Sequence, residues 1–494
     1  MVNLANPTLL VALPLFFAFL SIIIAPFIKK VIKFVPLLAS LINLVIVYFI
    51  GVEVFGGNIV IGGTAGLSAP FSIVFVVDKF NYLILLLVNL LGAVISFYNI
   101  FYVKEEPTDR FHILFLLLIM SSTWISITGD LFNMFVAFEV LSASSFGLVG
   151  YLRNSDAIEA GFKYVVLGML AGSLILLGVV LVYAQTGTLN MAHIASKLDT
   201  LSAYSKLIPF VLIFFGLAVE GALFPLNSWL PDAHPAAPSG VSAMLSGIVT
   251  TTAIYSIIRV IVTVFNYSAF IPYLYIIALL TLCFGEIAAF YQKDIKRMLA
   301  YSTIGQTGLF VLAFSVGTQA SISASLAQII NHSFSKSLLF LVSGAFILQT
   351  NSREIESLKG MGYKMKIFSA LFVVGSLSLV GLPPFFGFES KLNILLSIAN
   401  GIDFIAIFSL VLVVFMSLVE AAYFFRVIKT LYTKSESTEN IKENRGLLVP
   451  VVVLALILIV LSIFPGQIID FAKSVASQLV SRGYYLQAVL GGGL

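Results

Sequence analysis

Glu139, Lys163, Glu220, Lys336, Lys391 and Glu420 stand inside long apolar stretches of the chain, and His332 precedes Lys336 by four positions. Side chains of these types in such surroundings suit proton or cation transfer. Removal from water favours the neutral form of a carboxylate or an amine, and pairing restores its charge, so the state of one group decides whether a proton stays on its neighbour. The imidazole of His332 changes charge near neutral pH by its own chemistry. An ionisable side chain at membrane depth is costly enough to imply a role.

Other chemistries find no residues. There is no phosphate-cradling GxxxxGK loop, no cysteine cluster for iron–sulfur centres, and no nucleophile, histidine and acid set outside the apolar stretches. A single cysteine, Cys283, excludes disulfides and cysteine-ligated metal sites. Asp232 and His234 are two metal-type ligands without a third, and a structural loop is the better reading of them. The chain is therefore expected to bind no cofactor and no metal, and to carry no catalytic set of its own.

The elements that must position these groups follow from composition. Only 10% of residues are charged and 60% are hydrophobic. Apolar runs of about 20 residues, the length that crosses a bilayer as helix, recur fourteen times between residues 5 and 464. Backbone polar groups in lipid are satisfied only inside helices or closed barrels, and barrel-type alternation is absent. The expected fold is an all-α integral membrane protein of about fourteen transmembrane helices. The first run, 5–25, has neither a charged segment before it nor a small-residue cleavage site after it, and reads as a retained helix. The odd-numbered loops carry most lysines and arginines, among them Lys29, Arg110, Arg153, Lys296, Arg353 and Lys442, whereas the even-numbered ones carry only Lys197 and Lys206. The positive-inside rule then places odd loops in the cytoplasm and both termini outside a cell membrane. The net charge of +4 belongs to these loops, so nucleic acid is a poor partner. Residues 467–490 read as an interfacial helix, with a disordered tail as the alternative.

Two runs are interrupted alike. Glu220-Gly-Ala-Leu-Phe-Pro225 breaks the seventh and Gly381-Leu-Pro383-Pro384 breaks the twelfth. Paired discontinuous helices point to an inverted-repeat transporter with its site at the midplane. The expected repeats are helices 4–8 and 9–13. The corresponding division is 1–109 for helices 1–3, 110–262 and 270–432 for the repeats, and 446–494 for the last helix and terminal segment.

The segments DLFNMFVAFEVLS (130–142), FGLAVEGALFPLNSWLPDAHPAAPSG (215–240), DIKRMLAYSTIGQTG (294–308), NHSFSKSLLFLVSGAF (331–346) and GLPPFFGFESK (381–391) together resemble the antiporter-like subunits of respiratory complex I and of Mrp-type cation/proton antiporters. Within that superfamily, GDLFNMFVAFEVLS and GTLNMA resemble the D-type subunit of Mrp antiporters and its counterparts in archaeal membrane-bound hydrogenase and sulfur-reductase complexes. The resemblance implies two linked half-channels and a midplane row of titratable groups that exchange protons by switching ion-pair partners. Position by position, Glu139 matches the family's fifth-helix glutamate, Lys391 the lysine of the broken twelfth helix, and His332 with Lys336 the eleventh-helix pair.

Two positions depart from the pattern. Glu220 stands where the family carries a lysine before the broken seventh helix, and Thr251 aligns with a lysine of the eighth. Two nearby carboxylates, Glu139 and Glu220, tend to share one proton or cation instead of forming an ion pair. Three consequences are open: a spacer module without a working first half-channel, a modified cation or proton site with Lys163 as remaining base, or outright replacement of the lost lysine by Lys163.

Simpler readings stand beside these. Lys163 near a cytoplasmic helix end could snorkel. Glu286 and Arg259 read as interfacial. Asp130 is an N-cap or a channel mouth, Glu389 a partner of Lys391 or solvated, Glu420 part of an exit path, and His193 a surface residue. The expected function is an antiporter-like subunit of a redox-driven proton- or sodium-translocating complex of membrane-bound hydrogenase or sulfur-reductase type. The alternatives are the D-type subunit of a stand-alone Mrp Na+/H+ antiporter and an independent solute transporter. Expected partners are other membrane subunits, Mrp-like ones and a second antiporter-like copy among the candidates, together with H+ or Na+ and lipid.

Overall fold

The computed structural model describes residues 5–63, 72–104, 107–266, 268–401, 404–434 and 443–491; Lys442 lies outside them. Helices dominate, in chain order α1 Leu9–Ile24, α2 Lys29–Ile32 and α3 Val35–Phe55, then a hairpin of β1 Val60–Gly63 and β2 Val74–Val77. The bundle continues with α4 Lys79–Tyr102, α5 Thr108–Ile127, α6 Leu131–Val149, α7 Ser155–Thr186, α8 Met191–Leu198, α9 Ala203–Glu220, α10 Leu230–Ala236 and α11 Ser239–Met244. A π-turn at Leu245–Val249 joins α11 to α12 Thr250–Arg259. There follow α13 Ile271–Phe290, α14 Ile295–Ser315, α15 Gln319–Thr350, α16 Met361–Lys364, α17 Lys366–Val380, α18 Phe386–Ala399, α19 Phe404–Tyr432, α20 Arg445–Ile463, α21 Pro465–Val480 and α22 Arg482–Gly491.

Among the described residues twelve helices are long and apolar enough to cross a membrane, or thirteen if Ile355–Lys364 and Lys366–Val380, bent by 118°, form one span. All fourteen apolar runs contain helix. Two fall short as spans for local reasons: α1 has only 16 residues around Pro14, and the run 366–399 is cut between α17 and α18 at Gly381, whose φ of +83° is a left-handed conformation. The chain is thus a nearly all-helical, multi-pass integral membrane protein. The antiparallel hairpin, with Val60 opposite Val77, is the exception to the all-α expectation. It ends on Asp78, which caps α4 by accepting from Phe80 N and Asn81 N.

Loop contacts keep the crossings in order. Odd loops meet odd ones: Lys29 lies 3.9 Å from Asp109, Arg353 pairs with Asp156 and Asp294, and Arg297 pairs with Asp232. Even loops meet even ones: Phe75 bridges Thr128, Asp130 bridges Asn190, and Arg482 of the terminal segment binds Asp199 and Thr263 O. The terminal segment is helical, and α21 turns Ala472, Val475, Ala476 and Leu479 against α15 and α4. Its apolar face is therefore covered by protein.

Candidate functional site

A buried ion pair lies beside the second break. α17 stops at Val380, α18 restarts at Phe386, and Lys391, little more than a turn into α18, swings its Nζ back to Val380 O at 3.0 Å and onto Glu420 Oε2 of α19 at 2.5 Å. The break supplies the carbonyl, because a residue ahead of a chain interruption has no helical N–H to receive its oxygen. Glu420 is 1% exposed and its other oxygen accepts from Gln306 of α14 at 2.7 Å. Gln306 in turn accepts from Gln328 of α15 at 2.6 Å, and Gln328 from Ser390 at 2.5 Å. A continuous hydrogen-bonded string thus joins four helices at the break, every member buried.

His332 and Lys336 lie on one face of α15, a helical turn apart. His332 Nε2 sits 3.2 Å from Ser246 O and its Nδ1 has no partner; Lys336 Nζ donates to Leu299 O at 3.1 Å. Ser246 Oγ also meets Thr303 Oγ1 at 2.7 Å. Both α15 residues are fully buried, and among the described residues Lys336 meets no carboxylate within ion-pair distance.

The first half is differently built. Glu220 ends α9 and is buried, accepting from Ser142 Oγ at 2.9 Å and from Tyr164 OH at 3.4 Å. Tyr164 stacks on Trp229 at 4.0 Å, and Trp229 Nε1 closes the break by donating to Val219 O. Pro225 lies within this break, as Pro383 and Pro384 lie within the other. Glu139 is exposed at the middle of α6, its carboxylate resting on Gly172 of α7, where any Cβ would collide with it. Thr251 is buried, and its hydroxyl meets no hydrogen-bond partner among the described residues.

For other residues the structure decides between the readings that the sequence left open. Lys163 is not beside Glu220: it points to the odd-loop end and pairs with Glu159 at 2.8 Å and Asp232 at 2.9 Å, in a cleft of about 430 Å3 also lined by Asp156, Asp294, Arg297 and Arg353. Asp232 belongs to those pairs while His234 is buried on the ring of Phe340, so the two do not converge on a metal. Glu389 does not partner Lys391, whose acid is Glu420. Asp130 caps α6 by accepting from Asn133 N.

Three groups read as interfacial or loop charges are buried. Arg259 grips Asp78 through both carboxylate oxygens at 2.9 and 2.8 Å and Asn81 at 2.6 Å. Lys296 donates to Ala237 O. Glu286 accepts from Tyr423 OH at 2.9 Å. Each stands near a helix end in the sequence, and packing of neighbouring helices over those ends hides them. For Lys296 a signal existed: Asp294 caps α14, so Lys296 shares a helical face with Leu299, Ala300 and Thr303.

Residues 128–418 match the model of the NADH:quinone oxidoreductase/Mrp antiporter transmembrane family. The chain belongs to that family. The D-type subunit of the Na+/H+ antiporter of Alkalihalophilus pseudofirmus is 30% identical over 90% of this chain and 92% of its own length. The N-type subunit of the NADH-quinone oxidoreductase of Desulforudis audaxviator is 32% identical over 82% of this chain and 85% of its own. Among solved structures, a chain of the archaeal membrane-bound sulfane sulfur reductase superposes with a TM-score of 0.93 at 36% identity, covering 98% of this chain and 99% of that one. The protein is thus an antiporter-like membrane subunit of the Mrp and complex I type. Within this family framework the buried string from Ser390 to Lys391 converges on the second break, whereas the first break carries Glu220 at the end of α9, and Glu139 stands apart on α6.

Proposed function

We propose that the chain is the antiporter-like subunit of a redox-driven complex of sulfur-reductase or membrane-bound hydrogenase type, and that it moves H+ or Na+ along His332, Lys336, Lys391 and Glu420. The likeness to the sulfane sulfur reductase chain over nearly full length supports the class of complex. The observation that carries membership in an assembly is Glu139. A carboxylate exposed halfway along a membrane helix is not tolerated facing lipid, so another subunit covers it. In this reading Lys391 releases Glu420 when a proton reaches the pair, and the polar string through Gln306, Gln328 and Ser390 relays it. The gap at Thr251 and the acid at 220 make the first half a spacer. Odd loops face the cytoplasm.

The test is purification from native membranes followed by flux measurement in proteoliposomes. The expected result is copurification with redox subunits, and ion uptake abolished by Lys391→Ala yet unchanged by Glu220→Lys. Isolation as a stable lone protein with full flux would overturn the reading. Copurification with Mrp subunits alone would select the stand-alone antiporter, which the likeness to the Alkalihalophilus pseudofirmus antiporter chain also supports.

A further inference from the structure

Glu286 has no place in the row just described, yet its burial demands an account. It is 1% exposed, on α13, and faces α14, α15, α18 and α19. The charged and titratable groups that face it are Glu420 and Tyr423 of α19, Lys391 of α18 and Lys336 of α15, with Cys283 on its own helix. Lys391 is engaged with Glu420, and among the described residues no cation stands within ion-pair distance of Glu286. One oxygen, Oε2, accepts from Tyr423 OH at 2.9 Å; the other, Oε1, is buried without a partner. Oε1 lies on the backbone of Gly305, where a Cβ would strike it. A buried carboxylate with one hydrogen bond and no cation in contact is expensive to keep ionised, whereas a carboxylic acid in the same place needs only one acceptor.

That acceptor is present. Tyr423 OH is also 2.7 Å from Ser302 Oγ, and all three residues are buried. A phenol has a single hydrogen. In one arrangement Ser302 donates to Tyr423 and Tyr423 to the carboxylate. In the other the acid donates to Tyr423 and Tyr423 to Ser302. Passing from the first to the second adds one proton at Ser302 Oγ while Ser302 hands its hydrogen to Tyr423 and Tyr423 hands its own to Glu286. No heavy atom needs to move. Ser302 stands one turn along α14 from Leu299, whose carbonyl accepts from Nζ of Lys336, a member of the row. The device therefore opens off the row and ends blind on Glu286.

We propose that Glu286 is a proton-storing site served by Ser302 and Tyr423, a side branch that the row charges and discharges at Lys336. It rests on the translocating row only for its source of protons. The occupied state is a property of this chain, read without any flux.

Infrared difference spectra of the full chain in proteoliposomes test it. The expected result is a protonated carboxylic C=O band at neutral pH that shifts in D2O, disappears in Glu286→Gln, and moves in frequency in Tyr423→Phe as its hydrogen-bond partner is lost. Gly305→Ala, which crowds Oε1, is expected to move it too. If Glu286→Gln removes a carboxylate band and leaves the acid region unchanged, the proposal fails. Should Glu286→Gln not assemble, Tyr423→Phe alone decides, because an unmoved acid spectrum excludes Glu286 as the acid. Flux lost in Lys391→Ala with no acid band overturns the branch and spares the row; an acid band with flux intact in Lys391→Ala does the reverse.

Discussion

Lys391 and Glu420 are a pair in which each member makes the other tolerable. Their contact at 2.5 Å is 7% and 1% exposed at the two residues, so removing one leaves a buried, uncompensated charge, a loss of about 3–5 kcal/mol. Lys391→Ala is expected to lower thermal stability markedly, and Lys391→Met/Glu420→Met together to recover much of it while flux stays absent. A double-mutant cycle by thermal unfolding in detergent, set beside proteoliposome flux, measures both. Asp130 offers a pH test outside the spans. Burial lifts its carboxyl from the usual 3.8 to about 6, against backbone donors Asn133 and Phe132 that favour the anion. A folded value above the unfolded one means the native state holds the proton more tightly, so its contribution is full below about pH 4 and is lost as pH rises through 6. The unfolding temperature is expected to fall between about pH 4 and pH 6 by more in the wild type than in Asp130→Asn, since asparagine caps helices without titrating.

At the scale of elements, the even-loop end is closed by one clamp. Asp78 caps α4, Arg259 ends α12, and Tyr485 of α22 lays its ring 5.0 Å from the guanidinium. Arg482 ties the same terminal helix to Asp199, Ala195 O and Thr263 O. Asp78→Ala leaves Arg259 buried without its acid and is expected to destabilise the bundle by about 3–5 kcal/mol, read as a lowered unfolding temperature. Arg482→Ala is expected to be milder: α22 becomes sensitive to protease while helix content by circular dichroism is preserved. Close approach of α13 to α14 rests on Gly285, whose missing side chain admits the backbone of Gly305. This packing sets the depth at which Glu286 meets Gly305, with Tyr423 bridging from Glu286 to Ser302.

For the whole molecule, the outward face is as informative as the core. α6 exposes Glu139 and α7 exposes Phe162, Val166, Met169 and Leu170, a mostly apolar surface with one acid in it. A cysteine at 139 in the otherwise Cys283→Ser chain is expected to crosslink to a neighbouring subunit in native membranes. Labelling of that cysteine only by lipid-soluble reagents, with no protein adduct, would count against a covered face.

Much of this architecture was written in the local pattern. Apolar run lengths, loop charges and the proline-marked interruptions at 225 and 383 each depend on a few neighbours in sequence, so the bundle, both breaks and the acids and lysines within them were legible. The motif segments carried the family for the same reason. What stayed hidden depends on neighbours far along the chain. Glu286, Lys296 and Arg259 sit near helix ends, where sequence allows water, and only the packing of α14, α19 and α22 over those ends removes it. Lys163 read either as a membrane-embedded base or as a snorkelling lysine, and Asp232, 69 residues away at the surface, is what it reaches. Which acid Lys391 chooses was a tertiary matter as well: Glu389 is two residues distant yet points elsewhere on its helix, and Glu420 arrives from a separate one. Local sequence determines which groups enter the membrane, because hydrophobicity is a local sum; the fold alone decides which of them touch, because contact between helices is not.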